Sequence, residues 1–119
     1  MNKNCVISMT LGLLMALSAK GAVAQAVELL IATNEGKTLY IFDRDSLNTS
    51  NCYGGCAAVW PPALSAVQTL AAPLGTTIRK DGTFQITYQG KPLYTYADDE
   101  HPGDKNGDGI GGIWHIGRP

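Results

Sequence analysis

Three groups of residues in this chain have types and spacings that could support chemistry. Cys52 and Cys56 form a C-x3-C pair. One helical turn would bring their Cα atoms about 6 Å apart, within the span of a disulfide. A structural disulfide is the expected state, and a redox-active dithiol or a thiolate metal site are the alternatives. The usual redox spacing is C-x-x-C beside a βαβ pattern, and the C-x-x-C-H of haem attachment is absent. The second group is Asp104-Lys105-Asn106-Gly107-Asp108-Gly109, which begins like a calcium loop, D-x-N-x-D-G. In such a loop Asp104, Asn106 and Asp108 would present oxygens at alternate positions around a hard cation. The place of the closing bidentate glutamate is taken by His115, so a plain solvated turn competes with calcium. The third group is titratable. His101 and His115 are the only histidines, and copper or haem would need a methionine or free cysteine beside them. Asp43, Asp45, Asp98, Asp99 and Glu100 are numerous enough to include a carboxylate pair, but the sequence assigns none of them acid or base roles. There is no G-x-S-x-G, H-E-x-x-H or phosphate-cradling glycine loop, and no enzyme is expected.

The elements that must position these groups follow from a repeat. Gly36-Lys37-Thr38-Leu39-Tyr40-Ile41-Phe42-Asp43-Arg44-Asp45 returns 54 positions later as Gly90-Lys91-Pro92-Leu93-Tyr94-Thr95-Tyr96-Ala97-Asp98-Asp99. The shared pattern is G-K-x-L-Y-x-(F/Y)-x-x-D, and the same offset places Trp60 on Trp114. A repeat of this kind sets the architecture. Around the first copy, residues 27–33 and Thr38 to Phe42 read as strands joined at Asn34-Glu35-Gly36. Around the second, Thr83 to Tyr88 alternates, with Phe84, Ile86 and Tyr88 on one face and Gln85 and Thr87 on the other. Gln89-Gly90 is the turn and Pro92 to Tyr96 the return strand. A further strand is expected at Ile78 to Lys80, turning through Asp81-Gly82 as type I′. In each returning strand the aromatics (Tyr40 and Phe42, Tyr94 and Tyr96) share one face. They are expected to pack with Trp60 and Trp114 in the core, and stacking on a ligand is the alternative. Asp45 and Asp99, just past the strand ends, are expected to accept backbone N–H groups of the following turns. Tyr53 to Trp60 predicts one or two helical turns ended by Pro61-Pro62, Ala63 to Ala72 a loop or short helix, and His101 to Gly112 a surface loop before a last strand at Ile113 to Ile116. The expected fold is mainly β: two related antiparallel β-hairpin units around a pseudo-twofold, with one or two short helices between them. Repeat 1 covers about 27–62 and repeat 2 about 78–119.

Residues 1–24 read as a secretory signal peptide: Lys3, an apolar stretch from Val6 to Leu17, and Ala22-Val23-Ala24 before Gln25. The stretch is short of the roughly 20 residues that a membrane helix needs, so cleavage is expected rather than a retained anchor. The remaining 25–119 is then one domain, and Met1, Met9, Met15 and Cys5 leave with the leader. It carries seven Lys/Arg against ten Asp/Glu, net −3, with no basic patch. Nucleic acid and anionic membrane surfaces are therefore not the expected partners.

These residues resemble a bacterial family described as a secreted repeat of unknown function, predicted lipoproteins with a Y-x-(F/W/Y)-x-x-D signature. Tyr40-x-Phe42-x-x-Asp45 and Tyr94-x-Tyr96-x-x-Asp99 carry that signature. Cys52 through Pro62 resembles its C-x-x-x-C-A-x-x-W-P-P segment, and Pro102 through His115 its closing P-G-D…G-G-x-W-H. The chain departs in having no cysteine at the cleavage point for a lipid, and in having Asp108 where a neutral polar residue is expected. The resemblance implies export and no particular activity. The expected function is a non-enzymatic periplasmic or secreted module that binds an unknown envelope protein or a small ligand, or plays a structural role. No cofactor is expected, calcium being the one candidate, and a metal-binding or redox protein is the alternative.

Overall fold

A strand that alternates aliphatic and aromatic residues has two apolar faces, and both must be covered. The computed structural model, which describes residues 32–33 and 35–119, shows how this chain covers them. The expected leader and residues 27–31 of the first expected strand lie outside the described residues. The order of elements is β1 (Tyr40–Phe42), α1 (Gly55–Val59), β2 (Leu64–Ser65), β3 (Leu74–Ile78), β4 (Phe84–Tyr88), β5 (Lys91–Pro92), a 3-10 turn (Ile110–Gly112) and β6 (Trp114–Ile116). The fold is mainly β and its sheets are antiparallel.

The strand β1 lies between the last strand and the second copy of the motif. On one side it pairs with β6, Tyr40 opposite Ile116 and Phe42 opposite Trp114. On the other, Tyr40 and Tyr94 exchange both backbone hydrogen bonds, 2.7 Å from Tyr40 N–H to Tyr94 C=O and 2.9 Å in return. Equivalent residues of the two copies thus face each other directly. Ahead of β1, Ala32 bridges Thr38 around the Gly36 turn, as the first hairpin requires. The second sheet is built on β4, with β3 along one edge and β2 and β5 along the other.

Side chains divide as the period-two pattern predicts. Leu39 and Leu93 form one buried cluster with Ala63, and Ile41 packs against it. Tyr40 and Tyr94 form the other with Trp60, Trp114, Cys52 and Ile116, and Phe42 and Tyr96 pack against that. The helix α1 is a single turn that stops before Pro61-Pro62, with Trp60 N–H donating to Cys56 C=O at 2.8 Å. Cys52 and Cys56 are bonded across it, their Cα atoms 5.3 Å apart.

Four local expectations are corrected. Ala63 to Ala72 contains β2 and no helix. Ala63 N–H donates to Leu93 C=O at 3.0 Å and Ala63 C=O accepts from Ile86 N–H at 2.8 Å, so sheet pairing overrides the helix tolerance of the segment. The strand placed at Ile78 to Lys80 is instead β3, ending at Ile78. The loop after it is not type I′: Gly82 alone turns left-handed, at φ 87°, while Arg79 N–H reaches Thr83 C=O at 2.8 Å. Asp81 Oδ1 accepts from Thr83 N–H and Oγ1–H, an Asx arrangement that favours a three-residue loop. The positive-φ pair that a type I′ turn needs occurs at Gln89 and Gly90, joining β4 to β5. The return strand from Pro92 to Tyr96 pairs with β4 at Lys91–Pro92, with Leu93 N–H still donating to Ile86 C=O at 3.0 Å, and then changes partners: Tyr94 pairs with Tyr40 and Pro62, and Thr95 N–H donates to Pro61 C=O.

Candidate functional site

The aromatic residues singled out by the repeat converge. Phe42, Trp114, Trp60 and Tyr96 form one continuous stack, with ring centroids 4.2, 3.8 and 4.4 Å apart in turn. The two indoles at its centre are parallel to within 2°. Tyr40 meets Trp60 edge-on at 5.3 Å, and Tyr94 meets Trp114 edge-on at 5.2 Å. Each contact has its counterpart 54 residues along: Trp60 stacks on Tyr96 as Trp114 stacks on Phe42. The chain passes so close to the stack at Gly107 that a Cβ there would lie 2.6 Å from Trp60 Cη2. Glycine is required at that point for space.

The motif aspartates do what was expected with one oxygen. Asp45 Oδ1 accepts from Asn51 N–H at 2.7 Å, and Asp99 Oδ1 from Asn106 N–H at 2.9 Å. Their other oxygens bind across the copies: the Tyr40 hydroxyl donates to Asp99 Oδ2 at 2.6 Å and the Tyr94 hydroxyl to Asp45 Oδ2 at 2.7 Å. Both rings are fully buried. Burial first, and the carboxylate that holds the proton second, push the Tyr40 phenol above its ordinary range. Burial likewise raises Tyr94, with Asp45 adding to the shift and Ser50 opposing it. Burial also raises Asp45, against the pull of Asn51, Tyr94 and Arg79.

Sequence reading missed what lies behind Tyr94. Arg79 is only 6 % exposed. It donates to Ser50 Oγ at 3.0 Å, to Gln85 Oε1 at 2.7 Å and to Cys52 C=O at 2.8 Å, while its guanidinium lies 4.2 Å over the Tyr53 ring. Ser50 Oγ and the Tyr94 hydroxyl are 2.5 Å apart. Each hydroxyl has one proton, and Arg79 can only donate. The order is therefore fixed: Arg79 to Ser50, Ser50 to Tyr94, Tyr94 to the Asp45 carboxylate. A buried cation is thus joined to a half-buried anion through two hydroxyls, and Gln85 completes the set by donating to Leu93 C=O at 2.8 Å. The residues that alternate with Phe84, Ile86 and Tyr88 give the one sequence signal for this network. Gln85 and Thr87 are buried, whereas their apolar neighbours are half-exposed.

The profile of the family described as a secreted repeat of unknown function matches twice, over residues 30–64 and 75–116. The chain belongs to this family. Searches of curated proteins and of solved structures gave no match.

In this secreted repeat the calcium-like loop is part of the wall around the aromatic stack. Asp104 Oδ2 accepts from the N–H groups of His101 and Glu100, both at 2.9 Å, and these hold its carboxyl below the usual range. Asp108 Oδ1 accepts from Ile116 N–H at 3.1 Å. Asn106 uses its backbone N–H on Asp99, and Gly107 N–H donates to the Tyr40 hydroxyl at 3.2 Å. The structure thus points Asp104 and Asp108 at different backbone segments. Among the described residues no three His, Cys, Asp or Glu side chains are grouped as metal ligands would be. His115 is a half-exposed strand residue, and the sequence did not reveal its partner, Asp43 Oδ2, 2.8 Å from Nε2.

Two concave regions flank the motif strands. The larger, about 680 Å³, opens over the aliphatic cluster and is lined by Leu39, Leu64, Leu70, Leu74, Ile86 and Leu93 among others. The smaller, about 270 Å³, lies by Phe42, Asp43, Asp45 and Lys91. Leu64 and Leu74 are exposed at the rim of the larger groove.

Proposed function

We propose that this secreted repeat is a non-enzymatic module of the cell envelope or its surroundings that holds a small apolar ligand in the aliphatic groove. The observation that carries this reading is the division of the motif strands between two faces. Tyr40 and Tyr94 are spent on a closed aromatic core, whereas Leu39 and Leu93 lie at the floor of an open groove whose rim keeps Leu64 and Leu74 in contact with water. Concave apolar surface of this size is where small ligands bind. The proposal includes the two copies being related by a pseudo-twofold and the leader being removed before Gln25. Reciprocal Tyr–Asp and Trp–ring contacts support the first, and the family's description as secreted supports export. No helix among the described residues is long and apolar enough to cross a membrane.

The test is titration of the exported protein with a long-chain alkyl probe whose fluorescence reports burial. Wild type should bind it, and Leu64→Glu, which places a charge on an exposed rim, should weaken binding at least about tenfold without changing the urea midpoint. Equal binding by wild type and variant, or none by either, removes the groove from the reading. N-terminal sequencing of the same exported material checks the cleavage site.

A further inference from the structure

The central indoles are stacked more closely than most aromatic pairs. Aromatic pairs prefer offset or edge-on geometry because face-to-face quadrupoles repel, and their centroids usually lie 4.5–7 Å apart. Trp60 and Trp114 are parallel to within 2° with centroids at 3.8 Å. That geometry best shares a positive hole between two rings, because overlap of the facing π-systems spreads the missing electron over both. A second feature adjoins it. Tyr40 and Tyr94 touch the two indoles edge-on, and each hydroxyl already donates its proton to a carboxylate oxygen at 2.6 or 2.7 Å. A buried phenol gives up an electron readily only if a base takes its proton in the same event, since a phenol radical cation is a very strong acid. Asp99 and Asp45 stand where that base must be. For Asp45, burial also raises its affinity for a proton.

From this arrangement we infer that the secreted repeat is a sink for one-electron oxidants: the paired indoles receive the hole, and Tyr40 or Tyr94 traps it. The partner is a small soluble one-electron oxidant arriving at the Tyr96 end of the stack. Tyr96 is half-exposed and lies 4.4 Å from Trp60, whereas the other end is Phe42, a ring much harder to oxidise. The step balances. One electron passes from the indole pair to the oxidant, which is reduced. An electron then passes from Tyr40 to the pair, restoring it, as the phenolic proton moves to Asp99 Oδ2. The product is a neutral tyrosyl radical beside a neutral carboxylic acid, and no atom leaves the protein. A thiol- or ascorbate-class reductant, supplying one electron while Asp99 returns the proton, regenerates the starting state. Tyr94 and Asp45 offer the same path from Trp114. This inference is independent of the groove.

The experiment uses the mature chain with disulfide intact and photogenerated tris-bipyridine ruthenium(III) as oxidant, followed by transient absorption. Wild type should show an indole radical that decays as a tyrosyl radical grows, and the growth should be slower in D2O because a proton moves with the electron. Tyr40→Phe with Tyr94→Phe should cut the tyrosyl yield severalfold, leaving only what Tyr96 forms beside Asp98, and lengthen the life of the indole radical. Asp99→Asn with Asp45→Asn keeps both phenols and removes the bases, and should slow the growth. The wild-type isotope effect stands even if either pair of substitutions prevents folding. A tyrosyl yield unchanged by the two phenylalanines, growth of equal rate in H2O and D2O, or no tyrosyl radical in wild type would each overturn the inference.

Discussion

The crossed hydroxyl–carboxylate pairs give the sharpest test of how the two copies hold together. Tyr40 is fully buried, and its hydroxyl donates to a carboxylate oxygen of the other copy at 2.6 Å, a short charge-assisted bond. Hydrogen bonds to charged groups contribute about 1.5–3 kcal/mol, and an abandoned buried acceptor adds a desolvation cost. Tyr40→Phe should therefore cost about 2 kcal/mol, equivalent to roughly 10 °C in a domain of this size. A double-mutant cycle isolates the pair. Asp99→Ala also strands Asn106 N–H, but that loss is common to the single and double variants and cancels. The expected coupling between Tyr40 and Asp99 is about 1–2 kcal/mol. The control is Tyr40 with Asp45, its partner within the same copy of the motif. That cycle should be additive to within about 0.5 kcal/mol. Urea unfolding followed by the emission of Trp60 and Trp114 supplies all the numbers, since both indoles are at the centre of the structure. If Tyr40 couples to Asp45 as strongly as to Asp99, or to neither, the crossed arrangement is wrong.

Three further outcomes are expected. Because burial and the carboxylates raise the phenols of Tyr40 and Tyr94, their contribution to stability is complete below the ordinary phenol value of about 10 and is lost as the pH climbs above it. Phenolate absorbance should therefore show a late phase coincident with alkaline unfolding, and this phase should vanish when both are phenylalanine. The Cys52–Cys56 bond closes a loop of only five residues, so its reduction should cost about 2 kcal/mol, seen as a lower urea midpoint with dithiothreitol, while the oxidised mature chain titrates no free thiol. Gly107→Ala places a methyl group against Trp60 and should cost about 2 kcal/mol by overpacking, read from the thermal midpoint.

The sequence made some of this legible because period two and the 54-residue offset are strong, local signals. They identified Tyr40, Phe42, Tyr94, Tyr96, Trp60 and Trp114 as one packed set, and the core contains them or packs against them. They also placed Asp45 and Asp99 at turns, where one oxygen of each caps a backbone N–H. The second oxygen was out of reach, because its partner is a tyrosine 49 residues away in one case and 59 in the other. Local chemistry could place an Asx acceptor but could not say which hydroxyl would find it.

Which face of β4 would be the more buried was not legible, for a different reason. A strand with Phe84, Ile86 and Tyr88 on one side and Gln85 and Thr87 on the other reads as apolar-in, polar-out. Here the polar face is the more deeply buried, against Arg79 and the Leu93 carbonyl, while Ile86 and Tyr88 pack half-exposed on the aliphatic cluster. The deciding term is the guanidinium. Once Arg79 is buried, every acceptor near it becomes valuable, because an unmatched charge in that position costs several kcal/mol. Gln85, Ser50 and Cys52 C=O supply the acceptors and Tyr94 passes the chain of donors on to Asp45. The second copy's tyrosine is thus held by a cation that faces no counterpart among the described residues around Tyr40, where Gly107 N–H and Asp99 complete the phenol. Two hydroxyls with the same motif and the same kind of carboxylate therefore differ in what polarises them. Arg79→Met should weaken the Tyr94–Asp45 pair and leave the Tyr40–Asp99 coupling unchanged.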